Sequence, residues 1–291
     1  MIQTRHVPRT REVIWIFLKR DLKLWTYFKL NFAMELAGVF SNLLIYTLIA
    51  SFRPAGQFLG AYGSDYVTFV IVGLAVNELL TTSLSAPYDG VMDSFWSNRL
   101  ELLMMSPISL QLFVVGISLG RYVRSFFRIS IYIAFGSLMF GLRFPLANYG
   151  LAFLFLALGI VACTGLGFMA ASMIYLVDAR GGQDPVRWIL GILSGLVSGV
   201  YFPIQALPES VRWIGCFIPH SYALDGARRA LAGTEVAQAT LPIQQALPFN
   251  PLVTNAAALV LYLSLVLPLG WYMFKKGISE AKKDGRLSRW V

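Results

Sequence analysis

Charge is scarce in this sequence. Only 13% of its 291 residues are Asp, Glu, Lys or Arg, against about 25% in an ordinary soluble domain, while 57% are hydrophobic. Mean hydropathy is +0.64. Such a chain has too few ionic groups to coat a cytosolic enzyme and too much apolar matter to stay disordered. Histidine and cysteine are scarcer still, two of each. His6 and His220 fall on opposite sides of the membrane in the topology derived below, so they cannot share a metal or a proton relay. Cys163 and Cys216 permit one bridge at most and sit in no CxxC or Cys/His cluster, which argues against metal and redox chemistry. GxSxG, HExxH and paired-carboxylate arrangements are missing, as is a GxxxxGK(S/T) phosphate loop. Asp89 and Asp93 are four apart, yet beside Arg99 and Glu101 they read as a solvated or partner-facing surface. No catalytic residue, cofactor site or metal site is therefore expected on this chain.

What the sequence does have is apolar runs of membrane-crossing length, which is about 20 residues. Six stand out, near 31–51, 66–86, 110–142, 147–177, 188–203 and 252–274. They form a single membrane domain over 31–274, flanked by a tail and amphipathic segment over 1–30 and a basic tail over 275–291. Seven Lys and Arg before the first run leave no clean apolar core for a cleaved leader. With the amino terminus on the cytoplasmic side, all but Arg53, Arg143, Arg212, Arg228 and Arg229 of the 24 Lys and Arg fall on that side. The bias predicts six spans with both termini cytoplasmic. It also accounts for the net charge of +9 as a topology signal, and no basic stripe interleaved with aromatics is left to suggest nucleic acid. The expected fold is an all-α, multi-pass membrane protein.

Two segments are not plain spans. Within 12–29, Ile14, Phe17, Leu18, Leu22, Trp25 and Phe28 recur at helical steps while Lys19, Arg20 and Lys23 fall mainly opposite. That pattern predicts an amphipathic helix in the inner headgroup layer or packed on the cytoplasmic surface. Asp21 interrupts the apolar face, so it is expected to meet a protein neighbour or water. Over 201–231, Pro203, Pro208 and Pro219 break any single helix. The segment reads as two half-helices that dip into the outer leaflet and return, or as an extracytoplasmic loop with an amphipathic helix.

Ionisable groups inside spans carry the most functional weight, because each costs about 2.5–3.5 kcal/mol at a helix centre. Glu35 stands near a cytoplasmic helix start and can snorkel to the interface. Glu78 is mid-span and needs a cavity or a polar partner. Arg121, Arg124 and Arg128 form one stripe, which either neutralises Glu78 or stands partly wet at the base of its helix. Gly191, Gly195 and Gly199 share a face and predict close helix packing, within the chain or at a homodimer seam. Between the second and third runs, Met92, Phe95, Trp96, Leu100, Leu103 and Met104 repeat with helical spacing, with Asp93, Arg99 and Glu101 for charge and Pro107 as the stop. That is an amphipathic cytoplasmic helix suited to a groove on a soluble partner, or to lying on the membrane.

These features, in this order, resemble the permease subunits of type-2 ABC transporters. FLKRDLKLWTYFKLNF is similar to the family's interfacial helix. RLELLMMSPIS resembles its LE-x-L-x-x-(T/S)-P-x-S coupling motif, on Leu100, Glu101, Leu103, Ser106, Pro107 and Ser109, although Asn98-Arg99 stand where a glycine is usual. The segment 198–231 resembles its re-entrant outer motif, on Phe202, Pro203, Leu207, Pro208, Pro219, Asp225 and Arg228. The resemblance implies an exporter permease for a lipid-linked, glycan or amphiphilic drug-like substrate. It would work in the cytoplasmic membrane with a second permease copy, or a homologous permease, and two copies of an ABC-type ATPase. ATP and Mg would bind that partner, and this chain, in contact with membrane lipid, would carry no cofactor. Coupling would fall to Phe95, Trp96, Arg99, Leu100, Glu101, Leu103 and Pro107. The outer gate would fall to Phe202, Pro203, Pro208, Trp213, Pro219, Asp225 and Arg228. The alternatives are an ion-coupled secondary transporter, which predicts inverted repeats that are not visible, or an intramembrane lipid-modifying enzyme, which predicts clustered acids or histidines.

Overall fold

The computed structural model describes residues 10–52, 66–97, 99–106, 108–140, 148–176, 184–233 and 238–285, with all their side chains except those of 46, 47, 49–52, 101, 104 and 140. The regular elements in these residues are all helical. They run α1 (Thr10–Tyr27), α2 (Lys29–Phe52), α3 (Tyr66–Trp96), α4 (Leu100–Met105), α5 (Leu110–Phe140), α6 (Tyr149–Leu176), α7 (Pro185–Val197), α8 (Glu209–Gly215), α9 (Pro219–Ala232), α10 (Pro242–Ala246) and α11 (Pro251–Lys283). Three helices, α3, α6 and α11, are each long and apolar enough to cross a membrane, and α1 with α2 qualify together as a pair bent by 84°. The three arginines of α5 dilute its apolar run. At 13 residues, α7 rises only about 20 Å.

The bundle is organised around the uncharged α6, which packs on α3, α9 and α11. It can approach α3 and α11 closely because each carries a proline inside the helix. Pro87 in α3 has no amide to give the Ser83 carbonyl, and Pro268 in α11 likewise leaves a carbonyl free. A Cβ on Gly167 would meet the Ser83 and Leu84 carbonyls, and one on Gly165 the backbone of Val266 and Leu267. Two glycines thus seat α6 in the grooves opened beside two prolines. Small residues at helix contacts serve membrane packing well, since lipid supplies no hydrophobic drive between helices.

Buried side chains gather into two cores. One holds Phe17 of α1, Tyr88 and Phe95 of α3, Phe113 of α5 and Phe274 of α11, at what we call the basal end. The other holds Tyr66 and Phe69 of α3, Phe155 of α6, Tyr222 of α9 and Leu259 of α11, at the distal end.

The amphipathic segment over 12–29 is α1, bent sharply from α2 and packed along α5. Phe17 meets Phe113 edge-on, and Gly116 and Gly120 of α5 leave room for Phe17 and Asp21. Asp21 faces this protein neighbour and pairs with Arg20 at 2.6 Å. Trp15, Ile16, Leu24, Tyr27 and Phe28 remain exposed, as an interfacial helix requires.

The run near 188–203 departs from its sequence reading. Its helix ends at Val197, and Gly199 sits at φ +83°, a left-handed conformation that costs a residue with a side chain about 1–2 kcal/mol. Pro208 opens α8 and Pro219 opens α9, each at the first-turn or cap positions where its missing amide does no harm. A Cβ on Gly215, at the end of α8, would meet the Val197 carbonyl. From there α9 runs antiparallel along the first half of α6, from His220 beside Cys163 to Ala230, whose carbonyl accepts the Asn148 amide. Within the glycine stripe, Gly199 packs on Ile204, which an added Cβ would approach to 2.8 Å. A methyl group on Gly191 would meet nothing described within 4 Å, and one on Gly195 only the Tyr201 ring.

Candidate functional site

Three helices meet around charge between the two cores. The α5 stripe reaches Glu78, as one of its two sequence readings has it, and also reaches Glu35. Arg128 donates through Nε to Glu78 Oε1 at 2.8 Å and through Nη1 to Glu35 Oε1 at 2.6 Å. Trp25 Nε1 donates to the other Glu35 oxygen at 2.7 Å. Ser125 Oγ donates to Glu78 at 3.1 Å and bonds Thr82 at 2.5 Å. Glu35 therefore does not snorkel outward. Its side chain is 20% exposed and that of Glu78 19%. In low dielectric the pairing is what lets α2, α3 and α5 carry these groups at all. Lower down, Arg121 pairs with Asp93, and Arg187 of α7 with Asp89. The Arg187 guanidinium also lies 4.4 Å from the centre of the Tyr88 ring. Asp184, the N-cap of α7, accepts the Val186 amide at 3.0 Å, and burial raises its carboxyl pKa.

Between α1, α3 and α5, just below the Arg128 junction, a half-open cleft of 630 Å³ is lined by residues such as Arg20, Trp25, Glu35, Asp93, Arg121 and Arg124. Small-molecule sites have volumes of about 300–1,000 Å³. The cleft has apolar and charged walls together, and α3 leads straight out of it to α4.

The coupling segment is differently built from its sequence reading. Its periodic run is not one helix, because α3 continues through Pro87 to Trp96. The chain then turns, with the Arg99 amide bonding the Ser94 carbonyl at 2.9 Å, and restarts as α4. Arg99 adopts φ −95°, ψ −17°, a right-handed conformation that needs no glycine at this position. Phe95 and Leu100 belong to the basal core, together with Met92, and Leu103 packs against it. Among the described side chains here, Trp96, Leu102 and Met105 are the large exposed apolar ones, at 49%, 69% and 78%. Leu102 and Met105 escaped the sequence reading because the break resets the helical phase. The Glu101 side chain and Pro107 lie outside the described residues.

At the distal end, Asp225 of α9 is the centre of a buried polar cluster. Its Oδ2 accepts from Arg229 Nε at 2.9 Å, Gln244 Nε2 at 2.9 Å and Asn255 Nδ2 at 2.7 Å, and its Oδ1 from Thr240 Oγ1 at 2.8 Å. Gln244 Oε1 also accepts the Thr240 and Leu241 amides. Arg228 donates to the carbonyls of Gly199, Val200 and Phe69 and stacks 3.6 Å from the Phe69 ring centre. It thus ties the left-handed turn after α7 to α3. Pro203 caps the 3-10 turn Ile204–Ala206. Phe202 and Trp213 remain 43% and 44% exposed. The four-residue spacing of Asp225 and Arg229 is a signal the sequence reading did not use, and nothing in the sequence pointed to Thr240, Gln244 or Asn255. Cys163 and Cys216 are both buried and unbridged. Among the described residues no three His, Cys, Asp or Glu side chains gather as a metal site would require.

Residues 95–272 match the family model described as ABC-2 family transporter protein, more than half of the chain. No curated protein matches the sequence.

Proposed function

The chain belongs to the ABC-2 transporter family, as the membrane-embedded permease of an ABC transporter, and from that premise we propose that it is an exporter subunit driven from its basal end. That end faces the cytoplasm, with both termini there, and the chain crosses the cytoplasmic membrane six times through α2, α3, α5, α6, α7 and α11. Following α7, α8 and α9 form a re-entrant pair in the outer leaflet, and Phe202, Pro203, Pro208, Trp213 and Pro219 belong to the outer gate. Two copies of an ABC-type ATPase bind below, where ATP and Mg are used, and a second permease completes the path. The exposed faces of α2 and α7, with the open Gly191, are the sides left for that second permease. A lipid-linked, glycan or amphiphilic drug-like substrate enters from the cytoplasm or inner leaflet beside α1.

The observation that carries this reading is α4. It is a six-residue helix that turns Leu102 and Met105 outward at the end of the same α3 that walls the cleft. A partner gripping those side chains moves α3, and α3 is tied through Glu78 and Arg128 to α5 and α2.

The test is hydrolysis by the complex of this chain with its ATPase. The double substitution Leu102→Asp with Met105→Asp is expected to leave insertion in the membrane intact and to lower substrate-stimulated ATP hydrolysis at least tenfold. That corresponds to about 1.4 kcal/mol or more of lost contact. Unchanged stimulation would remove α4 from the coupling path.

A further inference from the structure

The charges lining the cleft do not cancel within the cleft. Among the described residues that line it, Asp21 is held by Arg20 at 2.6 Å, and Asp93 by Arg121. Glu35 is held at 2.6 Å by Arg128, which is not part of the lining. Arg99 donates through Nε to Ser97 Oγ at 2.7 Å. That leaves Arg124, half-buried in the lining one helical turn from both Arg121 and Arg128. Among the described residues it donates no hydrogen bond and closes no ion pair. Arg121 Nε, also buried here, has no hydrogen-bond partner among them either. A guanidinium kept half out of water without a hydrogen-bonded partner is costly, and its planar fork matches the paired oxygens of a phosphate or a carboxylate.

The rim of the cleft is apolar where α1 bends into α2, with Leu24 45% and Phe28 52% exposed. An amphiphile can therefore place its head among the arginines and its chains outward over those two residues. A volume of 630 Å³ suits a head group and excludes a whole lipid.

We propose that this cleft is a phosphate-binding site that takes the phosphate-bearing head of an amphiphile, with Arg124 as the residue that grips it and Arg121 Nε as the second donor. The assignment rests on the transport reading in one respect, that the amphiphile held there is substrate on its way in. The binding itself requires neither ATPase nor transport.

The experiment uses the full chain in detergent, without ATPase, and follows the thermal unfolding midpoint as dioctanoyl phosphatidic acid, dioctanoylglycerol or inorganic phosphate is added. The phosphatidic acid is expected to raise the midpoint saturably, and dioctanoylglycerol to leave it unmoved. Without ligand, Arg124→Gln should unfold at or above the parent's midpoint, because it removes a half-buried charge and no described hydrogen bond, and it should bind the phosphatidic acid at least tenfold more weakly. Arg124→Lys should recover part of the affinity. Competition by inorganic phosphate only at far higher concentration places the lipid head in the site, and equal potency assigns the site to a soluble phosphate instead. Equal binding by the parent and Arg124→Gln, or an equal shift with dioctanoylglycerol, overturns the proposal. A failure of this experiment leaves coupling through α4 untouched, and a failure of that coupling leaves this binding untouched.

Discussion

Arg128→Ala is expected to destabilise the protein by about 3 kcal/mol, the lower end of the cost of removing one partner from a buried ion pair, because this junction is partly exposed. Arg128 serves two carboxylates on two other helices, and all three side chains are less than a third exposed. Its loss leaves Glu35 and Glu78 facing each other across the space the guanidinium filled, with Ser125 as the one donor to Glu78 among the bonds described here. The consequence is concentrated on α2. That helix buries only Val39 and Leu43 among its described hydrophobic side chains, so the charge junction is a large share of what holds it to the bundle. Thermal unfolding in detergent and limited proteolysis after α2 measure the effect. Replacing the junction as a unit, with Arg128→Met, Glu78→Gln and Glu35→Gln together, should restore more than half of the loss, since a neutral substitute for a buried pair is often tolerated. A midpoint for Arg128→Ala within a degree of the parent would show that the junction is solvated and bears no load.

Asp225→Ala is the second large effect, about 3–5 kcal/mol, by a different route. Here one carboxylate satisfies four side-chain donors, and all of them are buried: Arg229 and Asn255 at 0% exposure, Thr240 at 0% and Gln244 at 3%. Each donor stripped of its acceptor adds a desolvation cost of about 1–3 kcal/mol that water cannot relieve here. The cluster joins α9 to the start of α11 through the segment holding Thr240 and α10, so its loss loosens the distal end as a unit. Asp225→Asn should fall between, keeping one acceptor oxygen while losing the charge that holds Arg229. Asp225→Leu combined with Arg229→Met should be more stable than Asp225→Ala alone. Equal stability of Asp225→Ala and the parent would mean that the cluster is wet and that α9 is held by packing only.

The parts of this structure that the sequence made legible are those where lipid leaves little choice. An uncharged run such as α6 has one stable fate, and a mid-span carboxylate such as Glu78 needs a partner, for which the only nearby stripe of opposite charge is on α5. The amphipathic character of α1 also followed from residue spacing. Where phase or neighbours decide, the sequence was silent or misleading. Gly191 and Gly195 carry the same four-residue spacing as Gly116 and Gly120, yet a methyl group on Gly191 would meet no described neighbour while the second pair receives α1. Nothing in either string says which face will have a neighbour. The coupling segment was misread because Pro87 does not end α3. The helix backbone beside it receives Gly167 of α6, 80 positions away in the sequence. Gln244 and Asn255 are polar residues at the edges of apolar runs, and only the folded return of α9 onto α11 makes them ligands of Asp225.

The central claim is that this chain forms the conduit while a separate subunit supplies the work. Its most direct test is purification of the tagged chain from its native membrane in mild detergent, followed by identification of its companions and measurement of ATP hydrolysis in the eluate. The account predicts a stoichiometric subunit with a phosphate-binding loop, and hydrolysis that disappears when that loop's lysine is replaced. Recovery of this chain alone, with full transport activity after reconstitution into vesicles that lack any nucleotide-hydrolysing protein, would contradict it.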